Sequence, residues 1–336
     1  MKKNISILLA AVMAVCCLSA CGQNNSNTNT QAKDNNDKQV KVVTTIFPEY
    51  DWVKEIAGDE VSNMDLTMLL DNGVDLHSYQ PTADDIMKIS DCDLFIYVGG
   101  ESDAWVEDAL KEAVNKDMKV INLLDVLGSS VKEEEVVEGM EAEEAEEEEA
   151  KDGAEEEAEY DEHVWLSLRN AKVLCKAIAD DLAEIDTENA NTYQENEKAY
   201  ADKLDELDKK YQETVDSASQ KTLLFGDRFP FRYMVDDYGL SYYAAFVGCS
   251  AETEASFETI TFLAGKTDEL GLKNIMTIEK SDQKIAKTII ENTKEKNQGI
   301  LTLDSMQSTT SDDVKKGTTY FSIMENNLNV LQEALQ

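Results

Sequence analysis

The sequence predicts an α/β protein of two lobes, each a mainly parallel sheet flanked by helices, joined by one long connecting helix. Three observations carry this reading. Short β-branched apolar runs alternate with helical segments in two separate stretches, the rhythm of a parallel sheet covered on both faces. A helical stretch from 187 to 217 contains no glycine or proline and divides the two. About 300 residues remain after the amino-terminal leader, enough for two domains of ordinary size.

In the first stretch, strands are expected at 40–47, 61–70, 94–98 and 120–123. Helices follow at 48–56 (stopped at Gly58), 83–89 (with Thr82 as N-cap) and 102–113. Helical periodicity then marks 170–182 and 187–217, where Tyr193, Tyr200, Leu204, Leu207 and Tyr211 recur at three, four and seven. At 1.5 Å per residue that second helix would span on the order of 40 Å, enough to bridge two lobes. The rhythm resumes with strands at 222–225, 241–246, 274–278 and 299–303, and helices at 229–238, 256–270, 281–294 and 317–335.

The amino terminus indicates the compartment. Lys2 and Lys3 precede an apolar run from Ile5 to Ala20, a secretory leader that is too short to span a bilayer. Leu18-Ser19-Ala20-Cys21 resembles a bacterial lipobox, which would make Cys21 the lipidated first residue of the mature chain; a plain leader with an incidental cysteine is the other reading. Residues 22–38 are almost wholly polar and cannot bury enough surface to fold, so 21–38 reads as a tether. The expected divisions are a leader at 1–20, the tether at 21–38, an amino-terminal lobe at 39–131 and an acidic disordered insertion at 132–162. The end of that lobe follows at 163–186, the connecting helix at 187–218 and a carboxy-terminal lobe at 219–336.

A formal charge of −38 argues against nucleic acid or an anionic membrane surface as a partner and favours cations. Much of it lies in 132–162, where like-charge glutamate runs stay solvated. That segment is either a passive insertion or a weak lure that concentrates cations. Beyond the leader and Cys21, only Cys92, Cys175 and Cys249 remain; they are widely spaced, require no disulfide and read as small buried apolar residues rather than a metal site.

Only two histidines occur, His77 in Val74-Asp75-Leu76-His77-Ser78-Tyr79-Gln80-Pro81-Thr82 and His163 in Asp161-Glu162-His163-Val164-Trp165-Leu166. Neutral imidazole is the commonest nitrogen ligand of zinc and manganese-like ions, and two such residues in carboxylate-rich segments suggest one metal site assembled from distant parts of the chain.

With these motifs in place, nearly the whole mature chain resembles the zinc- and manganese-binding solute receptors of bacterial ABC importers. Thr44-Thr45-Ile46-Phe47-Pro48 looks like the family's first strand and turn. Gly73 to Thr82 is similar to its Gly-x-Asp-x-His-x-Tyr-x-Pro-Thr signature, and 161–166 to Asp-Pro-His-x-Trp-Leu. The resemblance implies a metal cleft between the lobes holding Zn²⁺ or Mn²⁺, with His77 and His163 as the first two ligands. It also implies a monomer, lipid-anchored outside the cytoplasmic membrane, that delivers metal to a permease and its ATPase and performs no catalysis. Asp304, at the end of Leu301-Thr302-Leu303-Asp304, matches the family's fourth ligand.

At the third ligand the chain departs from the pattern. Counting back from Tyr238-Gly239 places Arg228 where the family has His or Glu, and a guanidinium has no lone pair to give. Asp227 is the expected substitute; Glu279 is an alternative, and Glu252 or Glu254 a weaker one. Two nitrogens and two oxygens would suit manganese or zinc. Two other functions compete: a metal buffer or surface adhesin working through the acidic segment, and a metallohydrolase, which the sequence disfavours because it lacks H-E-x-x-H or a comparable motif.

Overall fold

The computed structural model describes residues 39–141, 159–250 and 254–336. The expected leader, tether and lipid-bearing Cys21 lie outside the described residues, as do most of the acidic insertion and Glu252.

Two four-stranded sheets form the frame, and every strand pairing in them is parallel. The first contains β1 (Val40–Thr44), β2 (Met64–Met68), β3 (Leu94–Tyr97) and β4 (Lys119–Asn122) in the order β2-β1-β3-β4. Its helices are α1 (Phe47–Ala57), α2 (Ala83–Ser90), α3 (Val106–Lys111) and α4 (Leu123–Leu127). After α5 (Leu168–Ile185) and α6 (Ala190–Ser217), the second sheet contains β5 (Thr222–Phe229), β6 (Ser241–Val247), β7 (Asn274–Ile278) and β8 (Gly299–Leu303) in the order β6-β5-β7-β8. The helices α7 (Arg232–Tyr238), α8 (Phe257–Leu270), α9 (Lys284–Asn292), α10 (Ser311–Lys315) and α11 (Tyr320–Ala334) belong to this half.

Central strands buried on both faces read as continuous apolar runs, which is why Val42, Val43, Phe95 and Ile96 are all in the core. Each sheet also reverses its strand order beside its first strand: β1 has β2 on one side and β3 on the other, and β5 has β6 and β7. Open parallel sheets bind ligands outside the carboxyl ends of the strands at such a reversal. His77, Ser102, Cys249, Glu279 and Asp304 all lie just beyond strand carboxyl ends.

The 28-residue helix α6 buries Tyr193, Tyr200, Leu204, Leu207, Tyr211 and Val215, the stripe the periodicity predicts plus one further turn. It ties into both halves. The Asn196 amide donates to the Ile56 carbonyl of α1 at 3.0 Å, and the Tyr211 hydroxyl donates to the Met324 carbonyl of α11 at 2.7 Å. The last helix then packs back on the first half. The Tyr320 backbone N–H donates to Asp51 at 2.7 Å, and its hydroxyl donates to the Trp165 carbonyl at 2.7 Å. One apolar cluster accordingly runs from Val42 through α5 and α6 to Leu335. A continuous helix and a shared core leave the lobes little freedom to hinge.

The structure revises several expected boundaries. Residues 58–63 form a 3₁₀ turn rather than the start of a strand. The flanks of the acidic insertion are ordered rather than loose: Glu134 donates its N–H to the Glu159 carbonyl and Asp161 to that of Lys132, both at 2.9 Å, while Glu141 bridges to Phe246 of β6. Backbone pairing at its base satisfies groups that charge repulsion alone would leave in water. Strand β5 runs to Phe229, four residues past its expected end, with an irregularity between Phe225 and Arg228.

Leu204 is fully buried at the centre of the α6 stripe. Leu204→Ala is expected to lower the unfolding free energy by about 2–5 kcal/mol in a urea titration, leaving a native far-ultraviolet dichroism spectrum.

Candidate metal centre

His77 sits in a 3₁₀ turn after β2, in which the Asp75 carboxylate accepts the His77 backbone N–H at 3.1 Å. Its ring Nδ1 lies 2.7 Å from the Ser102 hydroxyl, beyond β3, and 3.4 Å from Glu162 Oε2. That Oε2 is buried and has no other hydrogen-bond partner. His163 is fully buried. Its backbone N–H and its ring Nδ1 both donate to one oxygen of Asp161, at 2.9 and 3.0 Å.

With each Nδ1 held from behind, the two Nε2 atoms face one another at 3.2 Å. An Asp161 carboxylate can only accept, so it fixes a proton of His163 on Nδ1, and the lone pair of the neutral ring is then on Nε2. A carboxylate or hydroxyl behind the distal nitrogen is how metal-binding imidazoles are generally oriented. Two imidazole nitrogens on one tetrahedral zinc, at about 2.05 Å each, would stand roughly 3.3 Å apart.

The surroundings favour neutral imidazole. Burial drives the His77 pKa down to about 3, helped by the adjacent His163 and by Arg228, against the opposing pull of Asp75. Burial also pushes the Glu162 carboxyl above its usual range. Asp103, which accepts the Gly99 N–H at 3.0 Å, is pushed up to about 7 by burial and by the charge of Glu162.

Among the described residues, one group of three or more His, Cys, Asp or Glu side chains brings its ligand atoms within 4.8 Å of one another: His77, His163 and Cys249. Asp227 and Asp304, expected as ligands, are not in it. Because β5 continues past Phe225, residues 227 and 228 fall on a strand, where successive side chains turn to opposite faces. Asp227 turns toward β7 and accepts backbone N–H groups from Arg228 (3.0 Å) and Ile278 (3.5 Å). Arg228 turns into the cleft and pairs with Asp75, its other guanidinium nitrogen 3.5 Å from the Ser250 carbonyl.

Asp304 caps the loop after β8, accepting the Met306 N–H at 2.8 Å; burial, with the charge of Glu279, pushes its carboxyl up to about 6. Glu279 accepts the Ser305 N–H at 2.7 Å and lies in a neighbouring cavity with Asp227. Glu254 is exposed.

Cys92 and Cys175 are buried as expected, but Cys249 is half-buried and lines a cavity of about 300 Å³ with His77, Ser102, Glu162 and Arg228. The preceding Gly248 lets the chain pass the site: a Cβ there would lie 2.9 Å from His163 Cε1 and 2.9 Å from the Phe229 carbonyl. Gln307, also missed in the sequence, places its amide within 2.9–3.2 Å of Asp75 and His163 Nε2. The sequence does hold a sign of Cys249, in Gly248-Cys249-Ser250 directly after a buried strand, in a chain with Arg228 at the position expected for a third ligand.

Two parallel-sheet lobes, the first supplying both imidazoles and the second Arg228 and Cys249 beside them, define the architecture of a two-lobed solute-binding protein. Residues 42–334 match the family described as zinc-uptake complex component A, periplasmic, and the chain belongs to that family. The zinc-binding lipoprotein AdcA of Streptococcus pneumoniae is 31% identical over 334 residues, covering 98% of this chain and 61% of the relative. This chain thus spans about three-fifths of the length of AdcA. The high-affinity zinc uptake system protein ZnuA of Bacillus subtilis is 33% identical over 326 residues, covering 96% of each. Among solved structures, the Zn(II)-bound ZnuA-like domain of Streptococcus pneumoniae AdcA superposes with a TM-score of 0.67 at 28% identity, covering 88% of this chain and 99% of that domain.

The depressed His77 pKa has a measurable consequence in the metal-free protein. Between pH 6.5 and about 3 the unfolded chain binds a proton that native His77 does not. Its contribution therefore favours the folded state above pH 6.5 and is lost as pH falls toward 3. Proton NMR should show the His77 ring unchanged from pH 8 to pH 5, with assignment made simple by comparison with His163→Ala. A titration midpoint near 6.5 would contradict the buried, neutral ring.

Proposed function

We propose that this chain is the extracytoplasmic, lipid-anchored receptor of a zinc importer, capturing one Zn²⁺ between its lobes and passing it to an ABC permease and its ATPase. The observation that carries this reading is the 3.2 Å approach of the His77 and His163 Nε2 atoms, each ring fixed through Nδ1. Such an arrangement leaves lone pairs converging on a space that a divalent cation fits. The named relatives, a zinc-binding lipoprotein and a zinc uptake protein, support zinc over manganese as the cargo.

The proposed nitrogen ligands are His77 and His163. Asp75 and Arg228 serve beside them as a neutralising pair that spans the cleft. Of the carboxylates expected from the second lobe, Asp227 accepts backbone N–H groups from Arg228 and Ile278, and Asp304 accepts one from Met306. Lipidation at Cys21 would hold this body at the membrane beside the permease. No helix among the described residues is long and apolar enough to cross a membrane.

The test is metal content with competitive titration against Zn²⁺ and Mn²⁺, comparing the wild-type protein with His77→Ala, His163→Ala. One tightly held zinc per chain, lost in the double variant, is expected. Several weakly held ions unaffected by the double substitution would place binding in the acidic segment and remove the receptor reading.

A further inference from the structure

We propose that Cys249 is a metal ligand, its thiolate taking the coordination position that Arg228 vacates, and that it makes the site selective for zinc over manganese. The inference rests on the receptor reading and deepens it by assigning a third ligand and a basis for selectivity.

Three independent features of the structure lead there. The first is proximity: Cys249 Sγ and ligand nitrogens of both imidazoles lie mutually within 4.8 Å. A tetrahedral zinc with bonds of about 2.3 Å to sulfur and 2.05 Å to nitrogen needs N···S separations of roughly 3.6 Å. Rotation of the Cys249 side chain would cover the difference.

The second is backbone provision. Gly248 directly follows β6 beside the His163 ring, where any side chain would strike Cε1 of that ring and the Phe229 carbonyl. The missing Cβ brings the next residue, Cys249, into the same cavity as His77.

The third is the displacement of the alternatives. Arg228 cannot coordinate, and its charge would repel an incoming cation if left alone; Asp75 pairs with it and removes that penalty. Asp227 and Glu279 accept backbone N–H groups and are not in the group that brings its ligand atoms within 4.8 Å of one another. The thiol is then the acidic ligand that remains within reach of both imidazoles.

Two imidazoles and a thiolate form a nitrogen–sulfur set. Soft thiolate selects zinc, whereas manganese prefers carboxylate, carbonyl and water oxygen. As the Zn–S bond forms, the thiol proton is released to solvent, and the ion's two positive charges are reduced by one.

The experiment uses the whole chain, purified in detergent, with Cys249→Ser and, as a control for the buried thiols, Cys92→Ser. Cobalt(II) serves as the spectroscopic probe and Zn²⁺ and Mn²⁺ as competing ions. Wild type and Cys92→Ser should show a near-ultraviolet thiolate-to-cobalt charge-transfer band that Cys249→Ser lacks. Zinc affinity in Cys249→Ser should fall by at least the roughly 10–100-fold that loss of an outer partner costs, while manganese affinity changes little. A cobalt-loaded wild type without that band, whose metal is still lost in His77→Ala, His163→Ala, would overturn the thiolate ligand and leave the receptor reading standing. Metal retained by the double histidine variant would overturn both.

Discussion

Two imidazole Nε2 atoms face each other across 3.2 Å, a separation that one proton or one shared cation can occupy, and much of the structure around the cleft serves to hold them there. Asp161 grips His163 through both its backbone and its ring, and Ser102 and Glu162 stand behind His77. The holding groups come from the loop after β3, the loop before α5 and the turn after β2, so no single element could make the pair alone. Burial then keeps His77 neutral, because charging a desolvated ring beside a second imidazole and a guanidinium is costly.

The shared core explains how such an arrangement stays fixed. Trp165, two residues beyond His163, donates its indole N–H to the Ser305 carbonyl of the second lobe at 2.9 Å, and its own carbonyl accepts from Tyr320. The residues that carry His163 are therefore part of the junction between lobes. Any opening of the cleft must disturb a buried aromatic contact, such as that between Trp52 and Tyr320, whose ring centroids are 5.2 Å apart.

Much of this was legible in the sequence because its causes are local. Alternating β-branched runs and amphipathic stretches located all eight strands, and β7 and β8 match to the residue. The apolar spacing on α6 identified its buried stripe, and the scarcity of histidine singled out the pair that meets in the cleft. The third position was not legible. Asp227 and Arg228 were read as a turn, but β5 extends through them, and strand alternation sends the carboxylate to β7 and the guanidinium to Asp75. Cys249 reads as an apolar filler in sequence because its approach to the histidines comes from the fold, where Gly248 leaves space beside the His163 ring and the β5–β6 register shifts between Phe225 and Arg228. Neither is visible in spacing alone. Glu162 likewise stands where the family has proline, and its role behind His77 emerges only from the packing of Gly100 against its side chain.

The central claim is that His77 and His163 share one ion. X-ray absorption at the zinc edge of the zinc-loaded protein tests it most directly. The account predicts two nitrogen neighbours at about 2.0–2.1 Å with the outer-shell scattering of imidazole rings. A first shell of oxygen alone, without imidazole scattering, would contradict it.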